Sequence, residues 1–167
     1  MKKLFIATFI FVLSFNIAHS NEKTLFLNME YVVKNSIIGK TTLKKINELN
    51  SKNINDLKLK EQKLVKLEKE IKKKQNVISE DELKNEINQL KEKVKKFRTE
   101  KDLMVTEYKE YKEKELSNLY KIINPIIQSY MDNNNIDILL DTKNIIFGKK
   151  SSDITEAIIA EIDKKFN

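Results

Sequence analysis

The sequence has no cysteine and no tryptophan, two glycines, one proline and one histidine. Without cysteine, no disulfide supports the fold, and the commonest soft metal ligand and the best side-chain nucleophile are missing. The single histidine, His19, lies in an N-terminal segment read below as removable, so the remainder also lacks the commonest general base. Carboxylate or Ser/Lys chemistry would need a fixed pocket, and a chain this poor in glycine and proline has few loops in which to build one. An enzyme is disfavoured, and no catalytic, cofactor-binding or metal residue is assigned.

What is abundant is charge. Lys and Arg number 32 against 25 Asp and Glu, a formal net charge of +7, and charged residues make up 34% of the chain. At the N-terminus Lys2 and Lys3 precede an apolar run from Leu4 to Ile17, followed by Ala18-His19-Ser20. A basic start, a short apolar stretch and a small-x-small site describe a cleaved secretory signal over residues 1–20. An uncleaved anchor is the alternative, but the run falls short of the about twenty apolar residues that span a bilayer. The mature chain is expected to begin at Asn21 and to be exported.

Three zones follow. Thr24–Val33 (TLFLNMEYVV) reads as a strand, punctuated by Asn35-Ser36 and Gly39. Residues 40–121 contain neither glycine nor proline. From Ile122 onward the character reverts. Asn124-Pro125 is expected to open a short apolar helix, Asp132–Asn135 a turn, and Ile136–Leu140 and Ile145–Phe147 two strands joined at Thr142–Asn144. Gly148–Ser152 reads as a loop. Asp153 and Glu156, three apart, read as a capping box that starts the last helix, whose Ile154, Ile158, Ile162 and Phe166 form a core stripe.

The middle zone is the most informative. Leu83, Ile87, Leu90, Val94, Phe97, Met104, Tyr108 and Tyr111 alternate in steps of four and three, broken at Lys101, which is a heptad seam. Leu43, Ile46, Ile54, Leu57, Leu64, Leu67 and Ile71 form a looser partner set, with Asn50 and Asn53 at polar seam positions. The pattern lapses over Lys72–Ile78, and Ser79 with Glu82 makes a capping box. One helix therefore stops near Gln75 and another starts near Ser79, giving an antiparallel hairpin with its tip near 73–79.

Residues 40–121 hold 23 basic and 16 acidic side chains, while the rest of the mature chain holds 7 and 9. All of the positive excess lies on the arms. Most such charge is a solvated helix face. Lys72, Lys73 and Lys74 at the tip are singled out as candidate contacts for clients or anionic membrane surfaces, because like charges clustered at a turn repel. Tyr108, Tyr111 and Tyr120 suit packing better than base stacking, and export argues against a physiological nucleic-acid partner. The fold class is therefore α+β: a long hairpin inserted into a small body made of residues 21–39 and 122–167. A body of about 65 residues without staples is hard to stabilise alone, so association of several copies is expected.

The strand LFLNMEYVVKNS with Gly39-Lys40, then INPIIQSY, IDILLDTKNIIF and SDITEAII, resembles the Skp/OmpH family of periplasmic chaperones. That resemblance implies a jellyfish-like homotrimer with a shared β body and three helical tentacles. It implies that the chain holds unfolded outer-membrane proteins without ATP or any cofactor in a Gram-negative periplasm, with peripheral contact to anionic lipids possible at the tip. The competing readings are an envelope coiled-coil scaffold or adaptor, and a basic coiled-coil protein that binds an anionic polymer.

Overall fold

A computed structural model describes residues 22–167; the expected signal segment at 1–20 lies outside the described residues. Strand β1 (Thr24–Leu27) is followed by helix α1 (Met29–Asn35), the arm helices α2 (Ile37–Lys74) and α3 (Glu80–Asn133), strand β2 (Ile138–Asp141) and helix α4 (Thr155–Phe166). Two short 3-10 turns, Thr142–Asn144 and Lys150–Ser152, lie between β2 and α4.

β1 is shorter than the expected Thr24–Val33 strand. Asn28 ends it: its side chain accepts the Tyr31 amide at 2.9 Å and starts a helix. Met29, Val32 and Val33 then fall at helical spacing, and both valines are buried. Ser36 ends α1 and caps α2, its hydroxyl accepting the Gly39 amide at 3.3 Å. Gly39 is thus no breaker but part of α2. A Cβ there would collide with the Val33 carbonyl, so glycine is what lets the two helices meet so closely.

The arms leave the body and return to it, as the capping signal requires. Ser79 and Glu82 form a reciprocal box, with the Glu82 amide donating to the Ser79 hydroxyl at 3.3 Å and the Ser79 amide to the Glu82 carboxylate at 3.1 Å. α3 does not stop near Lys121, nor does a separate helix open at Pro125. It runs through Pro125 to Asn133. Proline costs that turn one backbone hydrogen bond. The helix persists because Leu119, Ile123, Ile126 and Ile127 on this stretch are all buried in the body core.

Because the hairpin brings its ends together, β1 and β2 pair, in parallel, with Thr24 opposite Ile138 and Leu27 opposite Asp141. On its other edge β1 touches the chain before α4: the Ile154 amide donates to the Phe26 carbonyl at 2.9 Å. The expected strand Ile145–Phe147 is absent. Asp141 accepts the Lys143 amide at 2.8 Å and turns the chain away from the sheet, leaving Ile146 89% and Phe147 94% exposed. The expected capping box at Asp153 does not form either. The extended backbone of Asp153 is drawn toward β1, its carboxylate accepts the Thr155 amide at 2.9 Å, and α4 begins at Thr155. Of the expected core stripe, Ile154, Ile158 and Ile162 are buried, with Ile159 beside them; Phe166, in the last turn, is 38% exposed.

Candidate functional site: the helical arms

At about 1.5 Å per residue, the 38 residues of α2 make an arm about 57 Å long. Two ion pairs bridge the arms: Lys60 to Glu100 at 2.7 Å and Lys74 to Glu86 at 2.9 Å. Fourteen residues along one arm match fourteen along the other, so both pairs share a single antiparallel register.

In that register two positions of α3 depart from the heptad spacing. Leu83, Leu90, Val94, Phe97, Met104 and Tyr108 are half-buried, whereas Ile87 is 37% exposed at the seam's edge. Where Lys101 broke the heptad, Glu100 takes the inward place instead, stabilised by Lys60. The Lys60 ammonium holds the Glu100 carboxyl below its ordinary value, and the charge of Lys96 adds to this. Asn50 and Asn53 are half-buried on α2, and the register sets them within one residue of Tyr111 and Tyr108. The asparagines interrupt an otherwise apolar inner face, with buried Ile46 on the body side of them and buried Ile71 at the tip side.

The tip is less positive than the lysine run alone suggests. Lys72 pairs with Glu68 at 3.2 Å, and Lys74 with Glu86, which raises the Lys74 pKa. Glu80, Asp81 and Glu82 stand across the turn in the first turn of α3, where the helix dipole favours them. Lys73 has no ion pair among the described residues. The charge excess lies farther up the arm. One flank carries a groove lined by Lys60, Lys63, Lys93 and Lys96 around Leu64 and Phe97, with Glu100 as its sole carboxylate. The opposite flank mixes Lys91, Lys95 and Arg98 with Glu68 and Asp102. Lys60/Lys63 and Lys93/Lys96 are each spaced three apart, but it is the register, which sets Lys63 within one residue of level with Lys96, that brings them to one groove.

The arms also expose aliphatic side chains. Ile54, Leu59, Val65, Leu103 and Val105 are between 43% and 58% exposed. No helix among the described residues is long and apolar enough to cross a membrane, and no cluster of His, Cys, Asp or Glu among them could hold a metal ion.

A body of two short strands clasped by helices, carrying one long charged hairpin, is the architecture on which a family comparison bears. The OmpH-like outer membrane protein family matches residues 23–162. The chain belongs to that family. It spans the whole of the body's sheet and both arms, so the match is not confined to coiled-coil composition. A crystal structure from Caulobacter crescentus CB15, reported as a candidate OmpH-like outer membrane chaperone, shares the fold with a TM-score of 0.77. It is 22% identical, covering 85% of this chain and 84% of that one. No curated protein matches the sequence. OmpH-like proteins are chaperones and not enzymes. A chaperone role in general therefore holds for this chain, and the arms are its candidate working surface.

Proposed function

We propose that this protein is an ATP-independent periplasmic holdase that binds unfolded outer-membrane proteins and keeps them from aggregating on the way to the outer membrane. The observation that carries this reading is the set of exposed aliphatic side chains, Ile54, Leu59, Val65, Leu103 and Val105, scattered among lysines over several faces of an arm about 57 Å long. An unfolded β-barrel chain exposes alternating apolar residues and unpaired backbone. Many weak contacts spread along an arm can shield such a chain without trapping it.

ATP independence has support in the sequence. Gly39-Lys40-Thr41 looks like the end of a phosphate-binding loop, but the position five before Gly39 is Lys34 rather than glycine, and Gly39 lies inside α2. Periplasmic location rests on the signal-like residues 1–20 together with family membership.

Homotrimerisation through the body belongs to the same proposal. β2 is a sheet edge with Ile138 41% and Leu140 39% exposed, and the segment after it displays Ile146 and Phe147. Apolar side chains along an open edge are a liability that association of copies covers.

The test uses the chain from Asn21 onward. Urea-unfolded outer-membrane β-barrel protein is diluted into buffer without nucleotide, and light scattering is followed with and without stoichiometric chaperone. Suppressed scattering, with a native mass of three chains plus one client, is expected. Unaltered aggregation overturns the holdase reading, and a monomeric mass at micromolar concentration overturns the trimer.

A further inference from the structure

The arm joins the body at two weak points. A single residue, Ser36, links α1 to α2, and its backbone is extended. α3 runs on into the body, but Pro125 leaves the Lys121 carbonyl without its helical donor close to that boundary. Helices bend at such gaps. A tilt of about 10° at the root would carry the tip through about 10 Å, because the arm is about 57 Å long. The two chain connections alone therefore leave the arm's direction loosely set.

The start of α2 holds a third connection. A helix begins with amides that have no partner inside it. Here the Ser36 amide donates to the Val32 carbonyl at 3.0 Å, and the Gly39 amide to the Ser36 hydroxyl at 3.3 Å. The Ile37 amide donates instead to the Asp163 carboxylate at 2.8 Å, 126 residues away on α4. α2 has no acidic residue in its own first turn, whereas α3 has Glu80, Asp81 and Glu82 in its first turn. The negative charge that a helix dipole favours at its start is thus supplied to α2 by the body. Asp163 is half-buried and makes no ion pair within 4 Å among the described residues, which leaves the α2 amide as its partner. α4 is itself firmly seated. It packs on α1, α2 and α3, its start is tied to β1 through the Ile154 amide, and Ile158 and Ile162 lie in the core.

We infer that Asp163 is a positioning residue, a latch that ties the root of α2 to α4 and holds the arm in one direction from the body. Its part in presenting the arm to clients rests on the holdase reading; the latch itself does not.

The test exploits the absence of cysteine. Glu156→Cys on the exposed first turn of α4 and Gln62→Cys on the exposed side of α2 give the only two sites for spin labels. Labelled chain from Asn21 onward is diluted into excess unlabelled chain, so pulsed EPR reads distances within single chains, with no client present. The parent should give one narrow distance. Asp163→Ala should lose it, spreading to a distribution about twice as wide or more, as an unlatched lever of this length does, with native mass and helicity unchanged. Amide exchange at Ile37 should quicken at least about tenfold, the worth of a hydrogen bond to a charged group. Asp163→Asn keeps an oxygen acceptor in place and should restore the narrow distance. The double variant Asp163→Ala, Lys40→Glu returns an acid to the first turn of α2 without linking it to α4. It should recover part of the lost urea midpoint yet leave the distances spread, which separates positioning from helix capping. A narrow distance in Asp163→Ala, or one restored by Lys40→Glu, overturns the inference. If Asp163→Ala loses helicity, Asp163→Ser, whose hydroxyl falls short of the Ile37 amide, is read the same way, and a narrow distance there overturns the inference too. The holdase reading is scored apart from these distances: a parent that fails to suppress client scattering while Asp163→Ala broadens keeps the latch and loses the holdase.

Discussion

Replacing Ile158 and Phe166 one at a time by alanine separates what heptad-like spacing implies from what the body buries. Both sit on the four-residue stripe of α4, but Ile158 is fully buried and Phe166 is 38% exposed at the helix end. Ile158→Ala removes three carbons, about 2.4 kcal/mol of transfer free energy at about 0.8 kcal/mol each. It also leaves a void of roughly 50–80 Å³ which, at about 24 cal/mol per Å³ and partial collapse, adds about 1 kcal/mol. The expected loss is about 3–4 kcal/mol, a large share of the 5–15 kcal/mol that holds a typical domain together. Phe166→Ala removes a larger side chain, yet one already partly hydrated in a last turn, and should cost about 1 kcal/mol. Urea unfolding followed by circular dichroism, at one fixed protein concentration, reads both. With a slope of about 2 kcal/mol/M, the midpoint should fall by about 1.5–2 M for Ile158→Ala and by about 0.5 M for Phe166→Ala. Equal shifts, or a larger one for Phe166, would refute the placement of the core on Ile158.

Gly39→Ala should lower the melting temperature even though alanine is the better helix former, because its Cβ meets the Val33 carbonyl where α1 and α2 join; an unchanged or raised value contradicts that close approach. Ser79→Ala should cost about 1 kcal/mol by leaving the Glu82 amide in the first turn of α3 unpaired, read as faster amide exchange at Glu82 with the body's exchange unaltered. Acidification should loosen the arms through Glu100 and Glu82. Both carboxyls are held below their ordinary value of 4.5, Glu100 by Lys60 and Glu82 by Ser79. A depressed carboxyl stabilises the folded arm above the unfolded-state value, and that contribution is lost as pH falls through the folded-state value. Glu100→Gln should flatten the acid limb of helicity against pH, and an identical limb in the variant would sink the assignment.

The reach of the sequence is clearest in the arms. A capping box at Ser79, the lapse at residues 72–78 and the heptad spacing are local signals, and local geometry alone turns them into two antiparallel helices. The charge census placed the positive excess on those arms for the same reason, since counting needs no coordinates. Elsewhere local signals compete, and packing decides. Met29–Val33 has good strand residues, yet the Asn28 cap and a buried face for Val32 and Val33 make it helical. Pro125 marks a helix start in isolation, but burial of the residues around it carries α3 straight through. Ile145–Phe147 has strand composition but pairs with no strand among the described residues.

What the sequence alone determined is the hairpin, its tip, its charge and the resemblance at both ends, because each rests on neighbours within a few residues or on composition. What only the tertiary structure decided is which lysines share a flank. Lys63 and Lys93 are thirty residues apart, and nothing short of the antiparallel register brings them to one groove. The same register assigned Glu100 the seam place next to Lys101 and supplied Lys74 at the tip with Glu86 from the facing arm. Pairing across the arms is a long-range choice made by the whole seam at once, so no local pattern could state it.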